Sequence, residues 1–507
     1  MAQQSKVGEV RLFKMFGHFS FVILLVTSSL SAGTFENFKR TQTESFQAYK
    51  DERDNEFSKY LKLQWNAYKA ERSAQLYQVS KPKSIPFAVP KKIKSVGPVI
   101  TVTVKKTKLK KMHEEDKTQG NEKIISTAPV VIINMQQIQK ENGQEKDINF
   151  NFYGSKLGFT MPSGIHEAKF YPLNQKGIAN FFASAAISEY ETIIEEINNV
   201  RKVMNLNDWA TYLLVHKISD NVFSNQDESK LLSWFIFNKL GFAVKVGLGD
   251  KHVELIYYSK KIIYSTPTYT LGKNKFYLLS KYAQGSLAKL YTYEQNYPGS
   301  EMQFDLSLAI IPNFESDMKS KTLSFKEFGK EYNVPFEYNQ NLIDFMATYP
   351  QADYETYFNA PLDSKTYSGV ATALKKYIDG KKASDAINFV LHFVQSSFGY
   401  ENDNQQFHRE KVMFAEETLC YDKSDCEDRA ILFAYLVKNL FNIGVVGVKY
   451  KDHMATALAI PMSGDSVKDG SRKFVIADPT YIHSSIGQSM PKYRSIIPES
   501  FIKINRN

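Results

Sequence analysis

After residue 34 the aromatic positions recur every eleven residues. Phe35, Phe46, Phe57 and Tyr68 form one column, and Phe38, Tyr49 and Tyr60 follow three residues behind. Eleven residues over three turns is about 3.67 per turn, close to a straight helix, so both columns stay on one stripe. The pattern predicts a single amphipathic helix over residues 34–77, with a solvated charged face and a stripe for another helix, a second copy, the protein body or lipid. Pro82, Pro86, Pro90 and Pro98 then interrupt helical order. Farther on, Val99 to Val104, Val130 to Asn134 and Ile148 to Tyr153 read as strands around a charged insertion at 105–123.

The second half repeats the first. Ser224 to Leu232 reads SNQDESKLL and Ser424 to Leu432 reads SDCEDRAIL, each opening a helix. Each helix leads to a β-prone run, Phe242 to Val246 or Val445 to Tyr450, then to a turn and a histidine in KHVELIYY or DHMATALAI. A further strand in each closes on Pro-Thr-Tyr, at Tyr269 and Tyr481, and YLLVHKI and FVLHFV supply a preceding helix. The expectation is two copies of one α-plus-β unit about 200 residues apart, with Gln226 in the place of Cys426 and Thr266 in that of Asp478. On this reading the first copy keeps the scaffold and lacks the reactive side chains.

Composition sets the scale. The chain has 507 residues, and at roughly 150 residues per domain about three domains are expected. Hydrophobic content of 43% and charged content of 23% suit globular cores, and exclude disordered, collagen-like and polytopic membrane classes. The net charge of +10 is concentrated, since Lys81 to Lys111 holds ten lysines and no acid. The remainder is close to neutral, so no basic groove for nucleic acid is expected. The lysine run reads as a solvated linker, or as a contact for an anionic membrane, polymer or acidic partner.

Arg11 and Lys14 precede an apolar run from Phe19 to Val26, and small residues follow up to Ala32. This reads as a signal peptide cleaved before Ala32, or as an uncleaved N-terminal anchor. The expected location is accordingly the periplasm or cell envelope. Two cysteines exclude a disulfide framework and a four-cysteine metal site, and no metal, phosphate or cofactor motif is present. Cys420 and Cys426 form either a disulfide or two free thiols.

Cys426 carries the most chemistry. At a helix start, unpaired N–H groups and the positive dipole end favour a thiolate. Asp425 is the expected cap, Glu427 and Asp428 are read as first-turn acids that suit the dipole, and Ile431, Leu432, Tyr435, Leu436 and Leu440 mark the buried stripe. His453 begins a strand whose same-face neighbours Ala455, Ala457 and Ala459 are small enough for that helix to approach, placing imidazole where a thiol needs a base. Asp478, ahead of Pro479, would orient the far ring nitrogen. His252 lacks such partners and reads as a packing or hydrogen-bonding residue, as do His392 and His483.

These residues, in this order, resemble the transglutaminase-like superfamily, in particular the bacterial transglutaminase-like cysteine peptidases. The likeness is specific over Ser424 to Pro491, in SDCEDRA, DHMATAL, IADPTY and YIHSSIGQSMP, and weaker over residues 385–423, where AEETL precedes the nucleophile. It implies a papain-like site on an antiparallel sheet with a helix packed against it, with Cys426 as nucleophile, His453 as base and Asp478 as orienting acid. Ser424 stands where the family usually has glycine, and Ala455 where many members have an aromatic. An oxyanion donor is expected from the Cys426 N–H with Tyr400, Gln405 or Gln406.

The expected α+β architecture is then a signal peptide (1–32), a long helix (33–80), a basic linker and β region (81–145), a degenerate unit (146–310), a connecting region (311–384) and a catalytic unit (385–507). The expected activity is thiol-dependent acyl transfer on peptide or amide bonds, hydrolysis favoured over crosslinking. The expected partners are a peptide or protein substrate, self-association or an envelope partner through residues 34–77, and membrane contact through the N-terminus or basic linker, with no nucleic acid. The alternative is a non-catalytic envelope assembly protein built on the same scaffolds.

Overall fold

A computed structural model describes residues 32–63, 65–90, 93–102, 146–249, 252–279 and 289–505. The leader, the strand expected at Val130 to Asn134 and seven of the ten lysines of the run lie outside them. The chain divides into two compact units, residues 1–53 and 54–507. The described part of the first is helical, within a helix Ala32–Leu61, and it exposes Phe46 and Tyr49.

That helix ends sixteen residues before the expected position 77. Lys62 and Leu63 close it with i→i−3 bonds, and the Trp65 indole N–H donates to the Leu61 carbonyl at 2.7 Å, satisfying an end that would otherwise be orphaned. The chain continues as a strand, β1 (Asn66–Lys69), whose Tyr68 hydroxyl donates to Glu294 at 2.6 Å. In the second unit Phe57 is buried among Phe182, Tyr293 and Tyr297, and Asp54 pairs with Lys239 at 2.6 Å.

The architecture is α+β. A hairpin of β2 (Ile148–Phe152) and β3 (Ser155–Phe159) precedes the first large sheet. That sheet contains β4 (Val244–Gly249), β5 (His252–Tyr258), β6 (Thr268–Leu271), β7 (Asn274–Leu278) and β8 (Lys289–Thr292), in the antiparallel order β1-β8-β4-β5-β7-β6. The helix Gln226–Lys239 packs on β4 and β5, with the helix Asp208–Val222 against it. A second hairpin, β9 (Met318–Glu327) and β10 (Lys330–Asn339), follows. Short β11 (Gly399–Tyr400) and β12 (Lys423–Ser424) then pair in parallel at the entrance to the helix Cys426–Phe441.

The last sheet comprises β13 (Val445–Lys449), β14 (Met454–Leu458), β15 (Ser466–Asp469), β16 (Arg472–Ala477) and β17 (Ser500–Lys503), in the order β15-β16-β14-β13-β17. The helix Cys426–Phe441 covers β13 and β14, and the helix Ala383–Ser396 packs against it. Read from β8 and from β17, the two sheets run in the same order. Both also place a glycine at one point of close approach: a Cβ on Gly247 would meet Leu290 at 2.5 Å, and one on Gly447 would meet Phe358 at 2.9 Å.

The strand order corrects one match made from sequence. The strand beside β5 is β7, whereas Ile262 to Pro267 is a loop, so Thr266 does not stand in the place of Asp478. The Pro-Thr-Tyr likeness joined a loop to a strand end, because a short apolar run does not reveal its partner. A second correction concerns the alanines. Met454 and Leu458 face the core that contains Cys426, while Ala455 and Ala457 lie in a separate cluster with Val448, Ile476 and Tyr493 on the other face. The helix therefore packs on the opposite side of β14 from the one expected.

Candidate functional site

Cys426 is the first residue of its helix, with Asp425 at the cap. The Asp425 N–H donates back to Asp428 Oδ2 at 3.1 Å, and Asp428 Oδ1 accepts from the Met413 N–H at 2.8 Å. A fixed start follows for the helix that carries the sulfur. Arg429 fastens it further: its buried guanidinium donates to Ser424 Oγ, Gln395 O, Phe398 O and Gly399 O at 2.8–3.1 Å. The first of these bonds gives a physical reason for serine where glycine was expected. Burial lowers the Arg429 pKa to about 10, with Tyr400 and the neighbouring acids opposing.

His453 lies just ahead of β14 and Asp478 just beyond β16, two paired strands. The His453 Nε2 and Asp478 Oδ2 are 2.9 Å apart, both residues being buried. Asp478 Oδ1 accepts from the Thr480 N–H at 2.9 Å, so the carboxylate is held from both sides. The imidazole stacks on Tyr493, ring centroids 4.8 Å apart, and Tyr493 is tied to Asp452 at 3.0 Å. His453 Nδ1 makes no hydrogen bond with any described residue.

Cys426 does not bond to His453. Its Sγ donates instead to Glu427 Oε2 at 3.1 Å, and the residue is fully buried. Burial, Glu427 and Asp425 push the thiol well above its ordinary range, with Lys81 opposing. This reverses the expectation that the helix start favours thiolate, since desolvation and adjacent carboxylates outweigh the dipole. Cys420 is also a free thiol, so no disulfide joins the two.

The acids beside the sulfur are not solvated. Lys81, expected in an exposed linker, is buried with its ammonium 2.5 Å from Asp425, 2.6 Å from Glu427, 2.7 Å from Glu410 and 2.8 Å from Asp403. Burial works against the lysine's charge, but Asp425, Glu427 and Asp403 together raise its pKa well above the usual value. Burial pushes Glu427 up to about 7 and Asp403 up to about 6, Lys81 opposing in each case. Two all-carboxylate sets, Asp403–Glu410–Glu427 and Asp403–Asp425–Asp428, bring ligand oxygens within 4.8 Å of one another and suit a hard cation, while a third set joins Asp425 and Glu427 to the soft Cys426 sulfur.

Among the expected oxyanion donors, Tyr400 donates its hydroxyl to Pro82 O at 2.8 Å. Gln405 lines a cavity of about 440 Å³ with Tyr77, Lys81 and Glu410, and Gln406 lies in the turn of helix Asp403–Gln406. His252 is exposed and 3.3 Å from Asp227, while His392 meets Glu327 and Ser484 and His483 lies beside Phe87. Sequence reasoning missed Lys81, Asp403, Glu410, Arg429 and Tyr493. Only Arg429 left a local signal, as a charge within a buried helix stripe. No family model, curated protein or solved structure matches the chain.

Proposed function

We propose that the chain is an exported thiol-dependent acyl-transfer enzyme of transglutaminase-like type, acting on peptide or amide bonds. Cys426 is the nucleophile, His453 the base and Asp478 the orienting acid. The observation that carries this reading is the buried His453–Asp478 pair. Asp478 accepts from Nε2, fixing the tautomer that leaves Nδ1 as the basic nitrogen, and it would stabilise the imidazolium formed when the thiol loses its proton. The thiolate would attack the substrate carbonyl carbon, the amine would leave with the proton from His453, and water would release the acyl group. Water is the acceptor favoured here because no separate amine-acceptor site is apparent among the described residues. In the resting arrangement Cys426 is fully buried, so the chemistry requires the sulfur to become accessible.

The test is mass-spectrometric labelling of Cys426 with a thiol-reactive peptide probe, in wild type and in His453→Ala. Labelling lost in the variant supports the triad; a thiol inert in both, in folded protein, overturns it. The complete burial of Cys426 favours a second reading, a non-catalytic envelope assembly protein. On that reading Cys426→Ala leaves the cellular phenotype intact.

A further inference from the structure

The segment that carries Lys81 comes from an earlier part of the chain. Glu71 bridges to Thr268, and Ser265 N–H donates to Ala74 O at 2.8 Å. After Lys81 and Pro82 the strap continues, with Ala88 N–H donating to Ile482 O at 2.7 Å and Ile100 N–H to Lys381 O at 2.9 Å. It is extended and proline-bearing, and its lysine enters a set of four carboxylates more than 300 residues away in sequence. Four acids thus converge on one ammonium, and Asp425 Oδ1, in a fully buried residue, has no hydrogen-bond partner.

A surface ion pair needs no such chamber. The strap also presents the Pro82 carbonyl to the Tyr400 hydroxyl at 2.8 Å. An ammonium in a carboxylate cage and a carbonyl on a hydroxyl donor, one residue apart, are the contacts an extended lysine-bearing peptide would make. Cavities of about 440 and 710 Å³ lie along the strap to either side, the first lined by Gln78, Lys81 and Gln405, the second by Phe87, Tyr400 and Arg429.

We infer that Asp403, Glu410, Asp425 and Glu427 form a subsite for the ammonium of a lysine-containing peptide substrate, and that Lys81 occupies it as an internal mimic. This deepens the thiol-enzyme reading and rests on it. A substrate enters when the strap is displaced, and its lysine takes the place of Lys81 while its next carbonyl takes that of Pro82.

The experiment uses full-length Lys81→Ala, which keeps Cβ and leaves a space shaped for n-propylammonium. Its melting temperature should fall by several degrees, and millimolar n-propylammonium should restore at least half the loss, whereas n-propanol should not. Folding recovered only with n-propylammonium counts the same way; failure to fold with it overturns the subsite. Stronger rescue by Mg²⁺ or Ca²⁺ overturns it in favour of a metal site. In the same variant, Val-Ser-Lys-Pro chloromethyl ketone should modify Cys426 at least tenfold faster than its norleucine counterpart. Equal rates overturn the subsite while leaving the reactive thiol standing. Modification by neither peptide also overturns it, and iodoacetamide then separates the two ideas: alkylation of Cys426 preserves the thiol reading, and no alkylation removes both.

Discussion

The Cys426 thiol donates to Glu427 Oε2 at 3.1 Å, so its nearest polar partner is the next residue in the chain and not an imidazole. A carboxylate in that position resists thiolate formation. Glu427→Gln removes this charge. The pH profile for alkylation of Cys426 should move down by about one unit, roughly a tenfold gain in thiolate near neutrality. Alkylation followed by mass spectrometry from pH 6 to 10 checks it, and an unmoved profile would show that burial alone sets the thiol.

Asp478→Asn should separate positioning from reactivity. The amide keeps the shape but cannot serve as an ionised partner for His453 Nε2. A loss of about 1.5–3 kcal/mol in urea denaturation is expected for a hydrogen bond to a charged group. Peptide-probe labelling at Cys426 should fall at least a hundredfold, with Cys426 alkylation by a small reagent in urea unchanged.

Arg429 is the largest buried cation that the sequence reading overlooked. Its removal leaves carbonyls at Gln395, Phe398 and Gly399 without their donors. Arg429→Met should cost about 3–5 kcal/mol, the range for breaking a buried charged network. Arg429→Lys should recover only part, because an ammonium lacks the planar fork. Urea midpoints give the comparison.

Glu416 predicts a pH dependence of stability. Burial pushes its pKa up to about 8, with hydrogen bonds from Thr366 and the Asp363 N–H opposing. The native protein thus holds this proton where the unfolded chain, with an ordinary glutamate, releases it. Stability from this group is full at pH 4, declines from there and is gone above about pH 8. Glu416→Gln should flatten that decline, and at pH 8 it should be more stable than wild type by up to about 5 kcal/mol, since the folded and ordinary values lie about three and a half tenfold steps apart at about 1.4 kcal/mol each. Urea titrations at pH 5 and 8 test the sign.

The aromatic stripe divides into two kinds of position. Phe57 is 2% exposed, and Phe57→Ala should cost about 3–5 kcal/mol. Phe46 is 64% exposed, and Phe46→Ala should change thermal stability by less than about 0.5 kcal/mol. Equal effects would contradict this division.

The residues closest to chemistry were legible where the pattern is local. The helix from Cys426 follows from a capped start and a stripe of Ile431, Leu432 and Leu436, and the strands around His453 and Asp478 follow from short apolar runs bounded by turns. The eleven-residue column failed after Leu61 because a repeat records spacing and not partners. Tyr68 satisfies the spacing and still belongs to β1, where a sheet edge at β8 takes its backbone bonds. Thr266 was matched to Asp478 for the same reason.

By itself the sequence determined which side chains stand at element boundaries: Cys426 at a helix start, His453 ahead of β14 and Asp478 beyond β16. Those placements rest on capping, periodicity and turn chemistry, which act over a few residues. Only the tertiary structure decided that the sulfur is buried, that its neighbour Glu427 accepts its proton's bond, and that Lys81 enters a set of acids reaching from Asp403 to Glu427. Desolvation and charge pairing depend on distance in space, and residues more than 300 positions apart leave no periodic trace of their meeting.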